Sequence, residues 1–380
     1  MTSAADLITP HASSFPRLEI DVRKLEENTR VEVQRLAEQG VTVMGVNKVF
    51  NGMPETAQAI WRGGIQVIAE SRVSNLKKLQ SVPCAKCLLR TPGPSELPDV
   101  IRHADISLQS DIRMLRALSR EATHQGKTHR VLLMIDMGDL REGIWFRDEA
   151  AIHSTLSELQ RLPNLEIYGL GTNFNCLGAI MPTMENGERF VEIARKMEAR
   201  LGIRFSYLSG GNCTSYHLID KGTWPAGINH LRIGALHQFG IEYVDMKYLD
   251  EYHHSLMPVE RATSNLYLLK AEVIEVNTKP TFPVGVQGFD AFLQRPRFAD
   301  RGERRRALLA LGRQDVPAAG CWPIDPEIQV IGQASDHTVV DIHDCEREHG
   351  VGDIVSFELD YTALLAACNS PGITKVAVTG

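Results

Sequence analysis

Short apolar runs recur along the first two thirds of the chain and alternate with segments that have helical spacing of apolar residues. The runs at 42–46, 66–69, 87–89, 105–108, 130–135, 166–169, 204–208 and 230–233 are strand candidates, and helical periodicity is clear at 54–62, 111–122, 149–160 and 188–201. Strands that alternate with helices in this way predict an α/β fold, a (β/α)8 barrel of the TIM type. The alternative is an open doubly wound sheet, but the Gly-x-Gly-x-x-Gly turn expected after its first strand is missing.

After about residue 255 the pattern changes to alternating apolar and polar positions separated by turns that contain proline and glycine. Such segments occur at 265–276, 306–310, 328–331, 338–342 and 354–358. We therefore predict a barrel over residues 17–255 and a mostly β C-terminal domain over 256–380. The strand candidate 18–22 has no obvious place in the barrel register and could join the β domain.

Composition narrows the class of protein. The chain has 380 residues, 43% of them hydrophobic and 23% charged, which is typical of a soluble globular protein. A net charge of −6 gives no reason to expect nucleic acid or an anionic membrane as a partner. No apolar run approaches the roughly 20 residues of a membrane span, and residues 1–16 read as a loose polar tail without the apolar core of a signal peptide.

Cysteine usage favours a reducing, cytoplasmic environment. The seven cysteines are an odd number and form no framework. Cys84 and Cys87 form a C-x-x-C motif, but no second pair follows it. Buried thiols explain this motif better than zinc does, and we predict no metal site.

Polar residues follow the predicted strands, where a barrel gathers its chemistry. Lys48 closes the first apolar run. Its stem could simply lie along apolar surface with the amine in water, or the amine could be placed to form an imine with a carbonyl group. The need for a turn explains a polar or small residue at any one strand end, but it explains the full set poorly. The set forms a polar ring with many hydrogen-bond donors and comprises Lys48, Ser71, Arg72, Arg90, Gln109, Asp136 to Arg141, Asn173, Ser209 to Asn212, Arg232 and Gly234.

Three of these strand ends have recognisable chemistry. The segment SGGNCTS (209–215) has two glycines that let backbone amides approach an anion, so it is either a phosphate cradle or an ordinary glycine-rich turn. RIGA (232–235) is a second turn, in which a small residue allows the backbone to approach a ligand closely. DMGDLREG (136–143) is either a solvated loop with internal ion pairs or the support of Arg141, whose planar guanidinium suits a substrate carboxylate.

In combination and order, the motifs resemble the alanine racemase-like, fold-type III enzymes that use pyridoxal 5′-phosphate (PLP), and most closely their ornithine racemase branch. The resemblance extends from about Pro16 to about Lys375. It rests on VNKV (46–49), DMGDLREG (136–143), GTNFNC (171–176), SGGN (209–212), NHLRIG (229–234), GRQD (312–315), SDH (335–337) and GD (352–353).

The resemblance implies PLP as cofactor and amino-acid racemisation as the reaction. The family's cofactor lysine falls on Lys48, and its partner of the pyridine nitrogen falls on Arg232. Arginine keeps its proton, so it would donate to that nitrogen and leave the ring a weaker electron sink, which favours return of a proton to Cα over transamination. The family's phosphate-binding turns fall on Asn212-Cys213 and Gly234-Ala235, and Tyr361 matches a family tyrosine near the phosphate. Ser209 and Gly211 would be further cofactor contacts.

Two departures separate the chain from alanine racemases. The catalytic tyrosine of their Gly-Tyr-x-Asp turn is Arg313 here, and a barrel histidine is Asn173; both changes suit the ornithine racemase branch. The resemblance implies substrate contacts from Arg141, Arg313, Asp315 and Asn173. An acidic lining of Asp315, Asp336 and Glu142 would favour ornithine, and then lysine or arginine, over alanine.

Racemisation needs a proton donor on each face of a planar Cα, and Lys48 serves only one face. Asp336 and His337 are our candidates for the other face, with Asp315 and Cys345 behind them. The resemblance also implies a homodimer in which the β domain of one subunit caps the barrel of the other. Asp315, Asp336 and Tyr361 would then be supplied by the second subunit.

Three other PLP-related functions remain open. A lyase such as a D-threonine aldolase or D-serine dehydratase has a late metal site, and His343, Cys345 and His349 suggest one, but no His-x-Cys or His-x-Asp follows Gly352. A non-catalytic PLP-binding protein would lack the about 125 residues of β domain. A decarboxylase would have a Cys-Asp pair, whereas the order here is Asp344-Cys345.

Overall fold

The computed structural model describes residues 14–379, and most of the predicted N-terminal tail lies outside them. The chain divides into two compact units. The barrel unit is Val22–His254. The β unit combines the described residues up to Asp21, including strand β1 (Arg17–Asp21), with those from Ser255 onward.

The barrel unit alternates strands and helices. Its strands are β2 (Thr42–Val46), β3 (Val67–Glu70), β4 (Ala85–Leu88), β5 (Ile106–Gln109), β6 (His129–Asp136), β7 (Ile144–Trp145), β8 (Leu165–Gly171), β9 (Tyr207–Ser209), β10 (His230–Ile233), β11 (Ile241–Glu242) and β12 (Lys247–Tyr248). Its helices are α1 (Val22–Glu38), α2 (Pro54–Arg62), α3 (Val73–Lys78), α4 (Leu97–His103), α5 (Ile112–His124), α6 (Glu149–Leu159), α7 (Met184–Leu201), α8 (Tyr216–Asp220) and α9 (Ala235–Phe239).

Eight parallel strands close on themselves in the order β2, β3, β4, β5, β6, β8, β9 and β10, with β10 paired back to β2. The predicted (β/α)8 barrel is therefore confirmed. Alternate residues fill its interior, among them Met44, Ala69, Cys87 and Leu132. Cys87 behaves as a buried thiol, since burial raises its pKa to about 12.

Local sequence explains where the helices begin and which face they bury. The side chain of Asp111 caps α5 by accepting from the Arg113 amide. Leu115, Leu118 and Ala122 are three to four residues apart, so they lie on one face of α5 and are fully buried. Each buried leucine contributes on the order of 2 kcal/mol of transfer free energy.

The sheet of the β unit combines β1, from the N-terminal part of the chain, with strands from the C-terminal part. Its further elements are β13 (Ser264–Pro280), β14 (Glu303–Leu309), β15 (Cys321–Pro323), β16 (Gln329–Gln333), β17 (Thr338–Asp341), β18 (Ile354–Leu359), α10 (Tyr361–Asn369) and β19 (Thr374–Val378). The central path is β15-β18-β13-β14-β17-β16, and β1 lies between β13 and β19, antiparallel to the first and parallel to the second. The predicted mostly β C-terminal domain is confirmed, although sequence periodicity did not reveal β15, α10 or β19.

Short 3-10 helices complete the described elements: Lys48–Phe50, Pro94–Glu96, Cys213–Ser215, Val259–Arg261 and Ala318–Gly320. No helix within residues 14–379 is both long and apolar enough to cross a membrane.

Candidate active site

Lys48 lies at the mouth of the barrel, where β2 passes into the 3-10 helix Lys48–Phe50. Its side chain is exposed, whereas its neighbours Asn47 and Val49 are buried. Among the residues that the structure describes, none hydrogen-bonds or ion-pairs with the Lys48 side chain. The backbone here is thus fixed while the amine is accessible for covalent chemistry.

A buried polar network fixes the turn that carries Lys48. Asn47 donates from Nδ2 to Glu70 Oε1 at 3.0 Å and accepts from Thr56 Oγ1 at 2.8 Å. Asn75 donates to the other Glu70 oxygen at 3.1 Å. Burial raises the pKa of Glu70 to about 7 even though these hydrogen bonds act in the opposite direction. Sequence analysis missed this network; its only signal was a polar residue closing each of two apolar strands.

The first predicted phosphate turn has the backbone shape of an anion cradle. Asn212 caps the short helix Cys213–Ser215, with its Oδ1 accepting from the Thr214 amide at 3.0 Å. Gly211 has φ of +121°, and a Cβ there would lie 2.6 Å from Ser215 Oγ. Only glycine therefore fits at this position, which leaves the backbone open to a ligand.

The second predicted turn lies beside the first. Gly234 precedes α9, and a Cβ at this glycine would lie 3.1 Å from the Val46 carbonyl oxygen. Burial raises the pKa of the Cys213 thiol, while the backbone amides of Gly234 and Ala235 donate toward its sulfur. The charge of Lys48 also acts on this thiol. Both turns and the lysine therefore meet at one end of the barrel.

Arg232 is a buried cation inside the barrel, only 5% exposed. Its guanidinium donates to the Ser209 hydroxyl and, at 2.6 Å, to the Thr172 carbonyl oxygen. His230 Nδ1 lies 2.8 Å from the same hydroxyl. No carboxylate within residues 14–379 pairs with Arg232. Although burial lowers the pKa of this arginine, the guanidinium keeps its proton, and a buried charge with only neutral partners favours a further acceptor.

The loops after β6 and β8 join this end of the barrel through a chain of polar contacts. Arg141 pairs with Glu142, and its Nη2 lies 2.5 Å from Glu142 Oε1. That oxygen also accepts from Asn173 Nδ2 at 3.2 Å, and Asn173 Oδ1 lies 3.4 Å from Asn212 Nδ2. The structure thus brings two predicted substrate residues, Arg141 and Asn173, next to the first phosphate turn.

Asp139 anchors the loop after β8. It is buried, and its carboxylate accepts from the backbone amides of Cys176 and Leu177 at 3.0 Å each and of Ile180 at 3.3 Å. The exposed thiol of Cys176 lies 3.2 Å from Asn212 Nδ2. The charge-dense segment 136–143 therefore contains both a buried anchor, which sequence analysis did not identify, and the exposed Arg141.

In the β unit, two motifs far apart in sequence lie side by side. The Arg313 amide donates to the Ala334 carbonyl oxygen, and the Gln314 amide donates to that of Ser335, both at 3.0 Å. A Cβ on Gly312 would lie 2.3 Å from Asp336 Cα, so only glycine allows this approach. The GRQD and SDH turns therefore form one surface of the β unit.

Asp336 and His337 lie in the turn between β16 and β17. His337 Nδ1 is 2.8 Å from Asp336 Oδ1. The histidine side chain is 39% exposed and the aspartate side chain is 62% exposed. A carboxylate that orients an accessible imidazole is a common arrangement for proton transfer. The guanidinium of the neighbouring Arg313 lies over the Phe292 ring at 4.0 Å.

Other predicted residues of the β unit have different surroundings. Asp315 is buried and accepts from Ser370 Oγ at 2.8 Å and from the Gly312 amide at 3.3 Å, so its carboxylate holds its own turn. Tyr361 is half-buried at the start of α10, after the capping Asp360. Cys345 lies in the loop after β17 beside Asp325 and His349. The roles predicted for these three residues toward cofactor or substrate stay predictions.

The residues at the barrel mouth fit PLP as a ligand. An accessible lysine suits its aldehyde, two turns with closely packed glycines suit its phosphate, and a buried arginine that pairs with no carboxylate among the described residues suits its ring nitrogen. A (β/α)8 barrel with these features is typical of the PLP-dependent barrel enzymes.

Comparisons with known proteins identify the family. The model of the alanine racemase N-terminal domain matches residues 20–239. The ornithine racemase of Acetoanaerobium sticklandii is 35% identical over 362 residues, covering 95% of this chain and 99% of that protein. The lysine racemase of Thermotoga maritima is 35% identical over 364 residues, covering 95% and 98%. The chain belongs to the alanine racemase family and is a PLP-dependent amino-acid racemase.

Solved structures show the same fold at lower identity. An alanine racemase of Clostridium difficile 630 has a TM-score of 0.72 at 18% identity, covering 96% of each chain. A D-threonine aldolase from Filomicrobium marinum has a TM-score of 0.64 at 16% identity, covering 94% of this chain and 90% of that one. The predicted family, fold, reaction class and cofactor are thus confirmed.

Proposed function

We propose that this racemase interconverts the L and D forms of a basic amino acid, ornithine or lysine. The observation that carries the proposal is the full-length match, at 35% identity, to racemases named for ornithine and for lysine. The β unit supports it, because Arg313 replaces the tyrosine of the alanine racemase pattern, and its GRQD turn lies against the SDH turn that carries the exposed Asp336–His337 pair.

The barrel mouth would hold the cofactor. When bound, PLP makes the Cα–H bond of an amino acid acidic. Lys48 would anchor the cofactor and would take or return the Cα proton on one face with its amine. The phosphate would be held by the turns at Asn212-Cys213 and Gly234-Ala235, with Ser209 and Gly211 as further cofactor contacts. Tyr361 of a second copy would contribute near the phosphate.

Arg232 would direct the outcome of proton removal. Its guanidinium keeps its proton, so it would donate a hydrogen bond to the ring nitrogen of bound PLP without transferring a proton. The ring would then be a weaker electron sink, which would favour return of a proton to Cα. The Ser209 hydroxyl and the Thr172 carbonyl oxygen support this arrangement by holding the guanidinium in place.

The opposite face of Cα would be served by His337, oriented by Asp336. Arg141 would bind the substrate carboxylate, exchanging its contact with Glu142, and Asn173 would help position that group. The released Glu142, the exposed Asp336 and Asp315, which also accepts from Ser370, would attract a cationic side chain.

We also propose that the enzyme works as a homodimer in the cytoplasm. Lys48 and His337 belong to different units, and a β unit supplied by a second copy would complete each site. All seven cysteines are free, which suits a reducing compartment.

Incubation of PLP-loaded enzyme with L- and D-amino acids in deuterated water, followed by chiral chromatography and mass spectrometry, tests the reaction. We expect ornithine or lysine to racemise with deuterium at Cα, and faster than alanine. Preference for alanine, or release of aldehyde, ammonia or CO2 as the main product, would overturn the proposal.

The anchor has its own test. Lys48→Ala should lose the visible absorbance of lysine-bound PLP, at about 420 nm, together with racemisation. Lys221→Ala, at a surface lysine that pairs with Asp245, is the matched control and should keep both. A visible band that persists in Lys48→Ala would show that another lysine holds the cofactor.

A further inference from the structure

A mixed group of metal-ligating atoms lies in the β unit, in three residues to which the proposed function assigns no role; one of them, Cys345, was also predicted as a reserve proton donor. Asp325 follows β15, and Cys345 and His349 lie in the loop between β17 and β18. One carboxylate oxygen, the thiol sulfur and one imidazole nitrogen all lie within 4.8 Å of one another. A carboxylate, a thiol and an imidazole are the three side-chain types that commonly bind zinc.

His349 gives an independent indication of a ligand. It is only 4% exposed, and neither of its ring nitrogens has a hydrogen-bond partner among the described residues. Nε2 lies 3.9 Å from Asp325 Oδ2, which is beyond hydrogen-bond distance. A buried imidazole with both nitrogens unsatisfied is unfavourable, and a cation between these atoms would remove part of that cost.

The loop is held by backbone contacts that leave the three ligand groups free. Arg305 donates to the His349 carbonyl oxygen at 2.7 Å, which fixes the histidine without using its ring. The Glu346 amide donates to Glu327 Oε2 at 2.8 Å, which brings the segment next to Cys345 toward the segment of Asp325. The site is therefore preorganised from two separate parts of the chain.

Several carboxylates surround Cys345. Those of Asp325, Glu327, Asp341 and Asp344 act electrostatically on its thiol, and Asp341 and Asp344 also pair with Arg304. A divalent cation would offset the remaining repulsion among these groups. His343 is not part of the group, since its Nδ1 accepts from the Arg305 amide at 3.2 Å. The ligands thus differ from the trio His343, Cys345 and His349 that the sequence suggested.

We propose that Asp325, Cys345 and His349 bind one Zn²⁺ ion, with water as the fourth ligand. A thiolate among the ligands favours zinc over magnesium or calcium. Zinc bonds of about 2.0–2.3 Å hold ligand atoms roughly 3.3–3.8 Å apart. The three atoms therefore need to approach by only about 1 Å. The ion would cross-link the segment after β15 to the loop before β18 and would stabilise the β unit.

Zinc stoichiometry tests the site directly. The holoenzyme would be treated with a chelator, dialysed, titrated with ZnCl2 in the presence of a competing zinc indicator, and analysed by mass spectrometry of the metal. We expect one zinc per chain, with affinity reduced at least tenfold in Asp325→Asn, Cys345→Ser and His349→Gln. Cys84→Ser, which alters another partly exposed free thiol, should keep the wild-type affinity.

Thiol protection tests the site without any substitution. Zinc should slow alkylation of Cys345 at least tenfold, measured by peptide mass spectrometry, and leave Cys84 unchanged. Less than one tenth of a zinc per chain, unaltered zinc affinity in all three variants, or equal protection of both thiols would overturn the proposal.

Discussion

The two groups of proposed active-site residues, one in the barrel unit and one in the β unit, differ in how their side chains are held. At the barrel mouth, Arg232 is buried with fixed partners, and the Asn47 side chain before Lys48 donates to Glu70. In the β unit, Asp336 and His337 are exposed and bond to each other. The contrast teaches that the proposed cofactor contacts of the barrel are preorganised, whereas the proposed second proton donor is accessible to water.

His337→Gln probes the exposed side of this comparison and should have the largest effect. Loss of one proton donor typically lowers a rate by about 10²–10⁴-fold. Racemisation should fall by this factor, while Lys48 still exchanges the Cα hydrogen of one enantiomer with deuterated water. Chiral chromatography and mass spectrometry measure the two processes separately.

The control for His337→Gln is His124→Gln, at an exposed histidine of α5. It should racemise at the wild-type rate. If hydrogen exchange of both enantiomers falls equally in His337→Gln, His337 does not serve a single face.

Arg232→Gln probes the buried side and should lower kcat by about 10²–10³, the usual effect of removing one preorganised electrostatic donor. Keto-acid release should rise relative to racemisation, because glutamine, unlike arginine, can accept a hydrogen bond from a protonated ring nitrogen. Both are measured in one reaction by chiral chromatography and a keto-acid assay. Arg130→Gln, at a barrel arginine that stacks on Tyr168, is the matched control. An unchanged product ratio would argue against the role of Arg232.

Glu70 makes a pH-dependent contribution to stability. Its pKa is raised from 4.5 to about 7, so between these values the folded chain holds a proton that the unfolded chain has lost. Stability from this group is therefore present at low pH and is lost as pH rises through 7. Relative to Glu70→Gln, the free energy of unfolding of the wild type should fall by up to about 3 kcal/mol from pH 4.5 to 7.5.

Urea unfolding at half-unit pH steps measures this difference. Glu166→Gln, on the surface of β8, should show no comparable trend. A difference between wild type and Glu70→Gln that stays constant with pH would contradict a raised pKa at Glu70.

Ser370→Ala should have the smallest effect. It tests whether Asp315 only stabilises its own turn or also binds the substrate. Removing the hydrogen bond at 2.8 Å should lower the free energy of unfolding by about 1 kcal/mol. KM for ornithine or lysine should not change if Asp315 only holds its turn. A large rise in KM without loss of stability would instead support the predicted substrate contact. Unfolding curves and initial rates of Ser154→Ala, on the exposed face of α6, provide the baseline.

Much of the barrel could be predicted because strand and helix periods differ so clearly in this half of the chain. The run at 42–46 and the helix at 54–62 agree with β2 and α2 to the residue. The strand-end rule then identified Lys48 and Arg232 as candidates, because parallel strands deliver their ends to one face.

Features that depend on tertiary contacts were not accessible in this way. Nothing in the sequence marked Glu70, at the end of β3, or Asp139 as buried, because their burial depends on packing between separate segments. The hydrogen bond that Asp315 accepts from Ser370, 55 positions away, had no sequence signal either. Helix α10 was missed because its apolar residues do not follow a single clear face, so burial by the rest of the β unit decides its state.

The pairing of β1 has a consequence for synthesis of the protein on the ribosome. β1 emerges first, but its partners β13 and β19 are made about 250 residues later or more. At about 5–20 residues per second, β1 waits roughly 12 to 50 seconds before β13 exists. Leu18 and Ile20 alternate with the charged Arg17 and Glu19, and these charges discourage premature association of the unpaired strand. The strands and helices of the barrel can therefore be synthesised and can fold before β13 and β19, the partners of β1, have been made.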